Sequence, residues 1–98
     1  MKYISSQRER LDCVVAEKIK NRDFIVSYVV ISDDLRMIVD GHHSHQAAKE
    51  CGIDPEYVES ATSLSYNQEL EAMGLDLFLE FHFIDSSWYD INTGIEVF

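Results

Sequence analysis

The residues best suited to chemistry lie in one short turn, where positions 40–45 read Asp-Gly-His-His-Ser-His. Three of the chain's four histidines are in it. Gly41 permits backbone angles that a side chain forbids, and it lets a ligand approach the main chain. A helix starting after such a glycine offers unpaired amide hydrogens and the positive end of its dipole. The turn therefore predicts either an anion-binding site or a plain strand-to-helix junction with surface histidines.

Metal binding is the second chemistry open to these histidines. His42 and His45 are three positions apart, a helical spacing that can converge on one ion, with Asp40 or His82 completing the set. The sequence has no second compact ligand pair, so we predict no physiological metal. Neither Cys13 nor Cys51 lies beside a histidine in a nucleophile arrangement, and we predict that both are small core residues.

The composition indicates one folded domain over residues 1–98, with 46% hydrophobic side chains. No apolar run approaches the ~20 residues that span a bilayer, and the first ten residues lack the apolar core of a signal peptide. Two cysteines do not make a disulfide framework. These features predict a cytoplasmic protein without membrane contact.

The charges are divided unevenly along the chain, whose formal net charge is −10. All eight Lys and Arg lie in residues 1–49 beside seven acids, whereas residues 50–98 contain eleven acids and no Lys or Arg. This division argues against direct DNA binding and favours a basic protein partner, although acidic surfaces also serve solubility. The candidate partner-binding residues are Glu50, Asp54, Glu56, Glu59, Glu69, Glu71, Asp76 and Glu80.

The first half of the chain contains the clearest structural patterns. Ser6 and Glu9 fit a capping box, which predicts a helix over 7–21. The β-branched and aromatic run 24–31, the turn after it and residues 36–39 predict a hairpin. A helix over about 43–51 should come next, with Ser44, Ala47, Ala48 and Cys51 on its packing face and Gly52 at its C-terminal cap.

The second half is less regular. We predict a short strand over 57–62, a helix opened by a capping box at 65–68 and stopped by Gly74, and a strand over 75–84 with period two. A closing hairpin should span 88–98. Strand 75–84 is apolar on both faces, which favours a covered central strand over a patch for homodimerisation or partner binding. The fold class is α+β, with a small mixed sheet and two or three packed helices.

The stretch MIVDGHHSHQAAKECG, residues 37–52, resembles the signature turn of the ParB/sulfiredoxin-like superfamily, where D-G-H-H-R-x-x-A-A comes after a strand and opens a helix. The preceding helix, strand, turn and strand are in the order used by that family. The resemblance covers residues 10–60. It implies a ParB/sulfiredoxin-like fold in which the turn binds phosphates, with CTP, ATP or ADP as candidate ligands.

Residue by residue, the resemblance makes Gly41 the close-approach glycine and His43 the phosphate contact. His42 takes the place of the sulfiredoxin cysteine, so sulfinic-acid repair is not expected. Ser44 stands where the family has arginine, and it supplies neither the permanent charge nor the bidentate fork of that side chain. This loss argues against an enzyme.

The residues favour two functions from different classes. The first is a small acidic ParB-like protein that binds a basic, nucleic-acid-associated protein by mimicking a phosphate backbone, as a phage or plasmid inhibitor, an anti-CRISPR or an immunity protein would. The alternative is a domain that binds a nucleotide or phosphate ligand at residues 40–45, with a phosphotransferase or nuclease-like activity.

Overall fold

A five-stranded mixed sheet forms the centre of the computed structural model, which describes residues 1–85 and 87–97. In the order β4-β2-β3-β1-β5, its strands are β1 (Lys2–Ser5), β2 (Ile25–Ser32), β3 (Leu35–Asp40), β4 (Glu56–Glu59) and β5 (Tyr89–Asp90). The helices are α1 (Asp12–Lys20), α2 (His42–Glu50), α3 (Ser63–Met73) and α4 (Leu75–Phe81). The predicted α+β class with a mixed sheet is confirmed, but the described residues form four helices where two or three were expected.

The predicted hairpin is confirmed as β2 and β3, and it lies inside the sheet with a further strand on each side. Its β-branched residues suit a strand whose two faces are both covered, and Val26 and Val29 are fully buried. Val29 pairs with Met37 in antiparallel register. On either side, β4 pairs with β2 and β1 pairs with β3, both in parallel.

Alternate residues of these strands face opposite sides of the sheet. On one side Ile4, Val29 and Met37 form a core with Trp88 and with Phe78 and Leu79 of α4. On the other side Val26, Ile38, Tyr89 and Ile91 form a second cluster, edged by Tyr3, Tyr28 and Tyr57. Helix α2 packs on β2 and on α1.

The predicted strand over 75–84 is wrong, because residues 75–81 form α4. Phe78 and Leu79 are buried, and Leu75 and His82 are half-buried. That spacing is one face of a helix. The sequence does not reveal this helical face, because Leu77 and Phe81 are apolar although they are exposed. Together with the buried residues they give an apparent period of two.

The N-terminal prediction also needs correction. Helix α1 begins at Asp12, with no side-chain cap, instead of at residue 7. The Ser6 hydroxyl accepts the Ile84 amide at 2.8 Å instead of capping a helix. Residues 2–5 form β1, which the sequence did not indicate.

The other predicted elements have mixed outcomes. Helix 43–51 is confirmed as α2, and the strand expected near 57–62 is present as β4. The capping box at 65–68 is wrong, because those residues lie inside α3. The closing hairpin is present as a bridge between Tyr89 and Glu96, while Phe98 lies outside the described residues.

The cysteine prediction is wrong as well, because Cys13 and Cys51 are both exposed. Cys51 comes directly after the last residue of α2 and so lies past the packing face that Ser44, Ala47 and Ala48 do share. Within the residues described, no helix is long and apolar enough to cross a membrane.

Gly41 joins β3 to α2 in a conformation that only glycine tolerates well. Its φ is +92°, and an added Cβ would lie 2.4 Å from the Ile25 carbonyl oxygen and 2.8 Å from the Val26 Cα. Both contacts are with backbone, which cannot rotate away. The close approach seen at Gly41 is therefore to strand β2, and the expected approach of a ligand to its main chain stays a prediction.

We expect Gly41→Ala to lower the free energy of unfolding by at least about 2 kcal/mol, because it adds both left-handed strain and a backbone clash. Gly52→Ala is the matched control, since Gly52 also has positive φ (+68°) but nothing lies within 4 Å of the added Cβ. The control should lose only about 1 kcal/mol. Urea unfolding of both variants measures the difference, and equal losses would contradict the packing role.

Candidate functional site

The six predicted ligand-binding residues lie at the end of β3 and the first turn of α2. Asp40 is exposed and accepts the Gly41 amide through Oδ1 at 2.8 Å. His42, Ser44 and His45 are buried, and His43 is half-buried. The three histidines therefore have separate environments.

His42 is enclosed, with 6% of its surface exposed. Its Nε2 has no hydrogen-bond partner among the described residues. Burial, together with the nearby positive charge of Arg10, lowers its pKa to about 4. His42 is therefore neutral at neutral pH and brings no charge to an anion.

The resemblance assigns His43 to phosphate binding, but one of its ring nitrogens already forms a hydrogen bond within the protein. Its Nε2 accepts the Leu11 amide at 3.2 Å, at the start of α1. Partial burial, followed by the charges of Arg10 and Lys18, lowers its pKa. Protonation would remove this acceptor, so only the other ring nitrogen is left for a ligand.

Ser44, which the resemblance aligns with an arginine, faces the interior. Its surface is 1% exposed, and its Oγ has no well-aligned hydrogen-bond partner in the described chain. It lies near Asp23, whose pKa is lowered mainly by a 2.9 Å hydrogen bond from Lys18 and to a smaller degree by Ser44 itself. An arginine at this position would be enclosed beside that ion pair.

His45 is bound on its other side to the turn after β5. Its Nε2 lies 3.1 Å from the Asn92 Oδ1, and the Tyr57 hydroxyl donates to the same oxygen at 3.0 Å. With the amide in this orientation, Nε2 carries the proton. Burial lowers the pKa of His45 and raises that of Tyr57, so both are neutral at neutral pH.

One property of the turn does fit anion binding. In the described part of the chain, the amides of His42, His43 and Ser44 have no hydrogen-bond acceptor, because the first bond of the helix runs from the His45 amide to the Gly41 carbonyl. A hollow of about 280 Å³ lies beside them. The residues that line this turn hollow are Gln7, Val14, Lys18, Val39, Asp40, Gly41, His42 and His43.

Two arginines near the histidines of α2 are not among the ligand-binding residues predicted from the sequence. Arg8 and Arg10 lie in the loop between β1 and α1, and Arg10 is close enough to lower the pKa of His42, His43 and His45. The capping box at Ser6 predicts both inside a helix, which is wrong. No sequence signal was available, because the contacts with Tyr89 join residues about eighty positions apart.

The acids proposed for partner binding belong to two parts of the fold. Glu50, Asp54, Glu56 and Glu59 belong to the end of α2, the loop after it and the edge strand β4, whereas the remaining four lie on α3 and α4. All but Glu69 are exposed. The Glu69 carboxylate lies 3.3 Å from the His82 Nε2, in a contact too poorly aligned for a hydrogen bond.

The acids of α4 stand beside exposed apolar side chains. Leu77 and Phe81 are 54% and 68% exposed, and Phe83 and Ile84 after the helix are also more than half exposed. An adjoining cleft of about 310 Å³ is lined by Asp76, Leu79, Glu80, Phe83 and Trp88. We call Leu77, Phe81, Phe83 and Ile84, with Asp76 and Glu80, the α4 surface.

Metal binding has no assembled site in the described residues, where no three His, Cys, Asp or Glu side chains are placed to hold an ion. His82 lies among Tyr66, Phe78 and Phe81, on α3 and α4. It therefore does not join the histidines of α2.

Comparison of the chain with protein-family models, curated proteins and solved structures finds no match. The ParB/sulfiredoxin-like resemblance therefore has no support beyond the residues that carry it. A function for this chain has to be inferred from its own geometry.

The buried neutral His42 predicts a pH dependence of stability. Its pKa is 6.5 when exposed and about 4 in the folded chain. Between these values the unfolded state binds a proton that the folded state does not, so stability falls as the pH drops from 6.5 to 4, by an amount on the order of 3 kcal/mol.

Urea unfolding at several pH values should therefore show a shallower decline below pH 6.5 for His42→Leu than for the unsubstituted chain. His43→Gln is the control, because His43 is less enclosed. Parallel curves for His42→Leu and the unsubstituted chain would contradict the assignment.

Proposed function

We propose that this chain is a binding protein whose α4 surface docks a basic, partly apolar segment of another protein. The observation that carries the proposal is the pairing of Leu77 and Phe81 with Asp76 and Glu80 on one short helix. The finer proposal is that the partner is associated with nucleic acid and that binding inhibits it, as a phage- or plasmid-encoded inhibitor does.

The apolar part of the α4 surface supports docking. Leu77, Phe81 and Ile84 occur at intervals of four and three residues, and all three are more than half exposed. Contiguous apolar side chains with a charged rim are typical of interaction sites, and aromatic residues often dominate the binding energy there. Phe81, at 68% exposure, adds little to the core and is available to a partner.

The two acids of the α4 surface indicate the charge of the partner. Asp76 and Glu80 form no ion pair in the described chain, and residues 50–98 have no Lys or Arg to neutralise them. A second copy of the chain would bring acids against acids, and nucleic acid would bring phosphates against them. A protein segment with apolar side chains flanked by Lys and Arg complements both features.

The binding test uses a helical peptide with apolar residues at positions i, i+4 and i+7 flanked by lysines. Trp88 is the only tryptophan of the chain and lines the cleft, so its fluorescence reports binding directly. We expect Phe81→Ala to weaken binding by at least about tenfold. We expect Asp76→Lys with Glu80→Lys to weaken it and to flatten its salt dependence.

The matched control is Asp54→Lys with Glu56→Lys, which changes the net charge equally on the other group of acids. If the two double variants lose equal affinity, net charge alone explains binding and the α4 surface is not the site. A peptide with glutamates in place of its lysines should not bind. A shift of the chain itself to a dimer that Phe81→Ala abolishes would point to self-association instead.

The second candidate function is phosphate or nucleotide binding in the turn hollow, favoured by the free amides of His42, His43 and Ser44. Lys18 also lines this hollow. Against it, the Lys18 charge is already paired with Asp23, His42 is neutral and His43 is bonded to Leu11.

Titration calorimetry with CTP, ATP and ADP tests this candidate. Lys18→Gln should weaken binding by about tenfold or less, because the lysine is shared with Asp23. Lys20→Gln is the control, since Lys20 lies on the same helix and does not line the hollow. Absence of heat with all three nucleotides would remove this candidate and leave the proposal for α4 untouched.

A further inference from the structure

Three of the chain's eight cations meet in a second hollow on α2, separate from both sites above. It has a volume of about 190 Å³ and is lined by Arg8, Arg10, His45, Lys49, Tyr89 and Asn92, together with neighbouring residues of the same segments. It shares no lining residue with the turn hollow. We call it the cationic hollow.

Arg8 and Arg10 are held here by neutral groups. The Arg8 guanidinium lies 4.0 Å from the centre of the Tyr89 ring and donates to the Gly94 carbonyl at 3.4 Å. The Arg10 guanidinium donates to the Gln7 carbonyl at 2.7 Å and to the Tyr89 hydroxyl at 3.0 Å. Aromatic faces and carbonyl oxygens orient a guanidinium without removing its charge.

No carboxylate of the described residues lies within ion-pair distance of Arg8, Arg10 or Lys49. The close contacts of carboxylates with basic side chains found there are the ion pair of Lys18 with Asp23 and the contact of the His82 imidazole with Glu69. Two nearby carboxylates keep their charge but bind backbone amides instead of the cations. Asp85 accepts the Arg8 amide and Asp90 accepts the Asn92 amide. Like charges held together repel, so an arrangement of this kind is stabilised by an anion that neutralises them.

The positive charges of the cationic hollow act on His45, a neutral residue of its lining. Burial lowers the pKa of His45, and the charges of Arg10 and Lys49 lower it further, against the raising effects of the Asn92 hydrogen bond and the charge of Asp90. The hydrogen bond between His45 and Asn92 fixes that wall of the hollow. An oxyanion would meet two oriented guanidinium groups and polar side chains with little rearrangement, which favours binding.

We propose that the cationic hollow binds a phosphate group, either as the free ion or as the end of a small phosphate monoester. A phosphate dianion has oxygens enough for two guanidinium groups and one ammonium, and arginine is the side chain best matched to it. The site does not depend on the proposed function of the α4 surface.

The test is a titration of the ¹⁵N-labelled chain with inorganic phosphate and with phenyl phosphate, at constant ionic strength set by chloride. We expect saturable shifts of the amides of Arg10, Gln46 and Thr93. The tighter ligand shows whether the site takes the free ion or an ester. Absence of saturable shifts with both would overturn the proposal.

Variants then locate the site. Lys49→Gln and Arg8→Gln should each weaken binding by about tenfold, the effect of one charge-assisted contact. Lys20→Gln makes the same change of charge outside the hollow and should leave the affinity unchanged. If Lys49→Gln and Lys20→Gln bind equally, the phosphate is not in the cationic hollow.

A separate outcome distinguishes the two hollows. If the shifts are confined to the amides of residues 41–44 and Lys18→Gln abolishes them, the phosphate lies in the turn hollow and this proposal is wrong. Thermal unfolding of each variant without ligand shows whether the fold is retained. The Arg8 and Lys49 side chains are both exposed, so we expect it to be.

Discussion

At Gly41 the chain passes so close to β2 that the backbone of Ile25 and Val26 occupies the space of a side chain. This contact sets the direction in which α2 leaves the sheet. The packing of α1 and of the loop before it depends on that direction. A helix that starts there lies against β2, so its inner positions must be small, as Ser44, Ala47 and Ala48 are. Helix α1 then packs on α2, and the loop before α1 is brought over the histidines.

The central hairpin and α2 could be predicted from the sequence because their signals are local. A β-branched run, two aspartates in a turn and a glycine before small residues each specify structure within a few positions. Strand β1 could not be predicted in this way. Its four residues are extended because they pair with β3 and β5, which are distant in the chain. The sequence predicts a strand in place of α4 because the exposed Leu77 and Phe81 add to the buried apolar residues and give an alternating pattern.

The candidate site shows the same division. The sequence predicts that the residues of the turn lie close together, because Asp40, Gly41 and the three histidines fall within six positions. It does not predict that each histidine has a separate environment. His43 contacts Leu11, His45 contacts Asn92, and Ser44 faces Asp23, and each partner comes from another element. Arg8 and Arg10, from the loop after β1, line a hollow with His45 and Lys49 of α2, which the sequence did not indicate.

The pairing of β1 with β5 has a consequence for how the protein is made. Ser5 is joined to Tyr89, so the strand nearest the start of the chain waits for one neighbour until the ribosome has added more than eighty further residues. Contacts this distant in sequence form late and slow the search for the native state. Until Tyr89 is in place, β1 lacks its neighbour on that side and Arg8 and Arg10 lack their aromatic contact, so the cationic hollow cannot form before β5 pairs with β1.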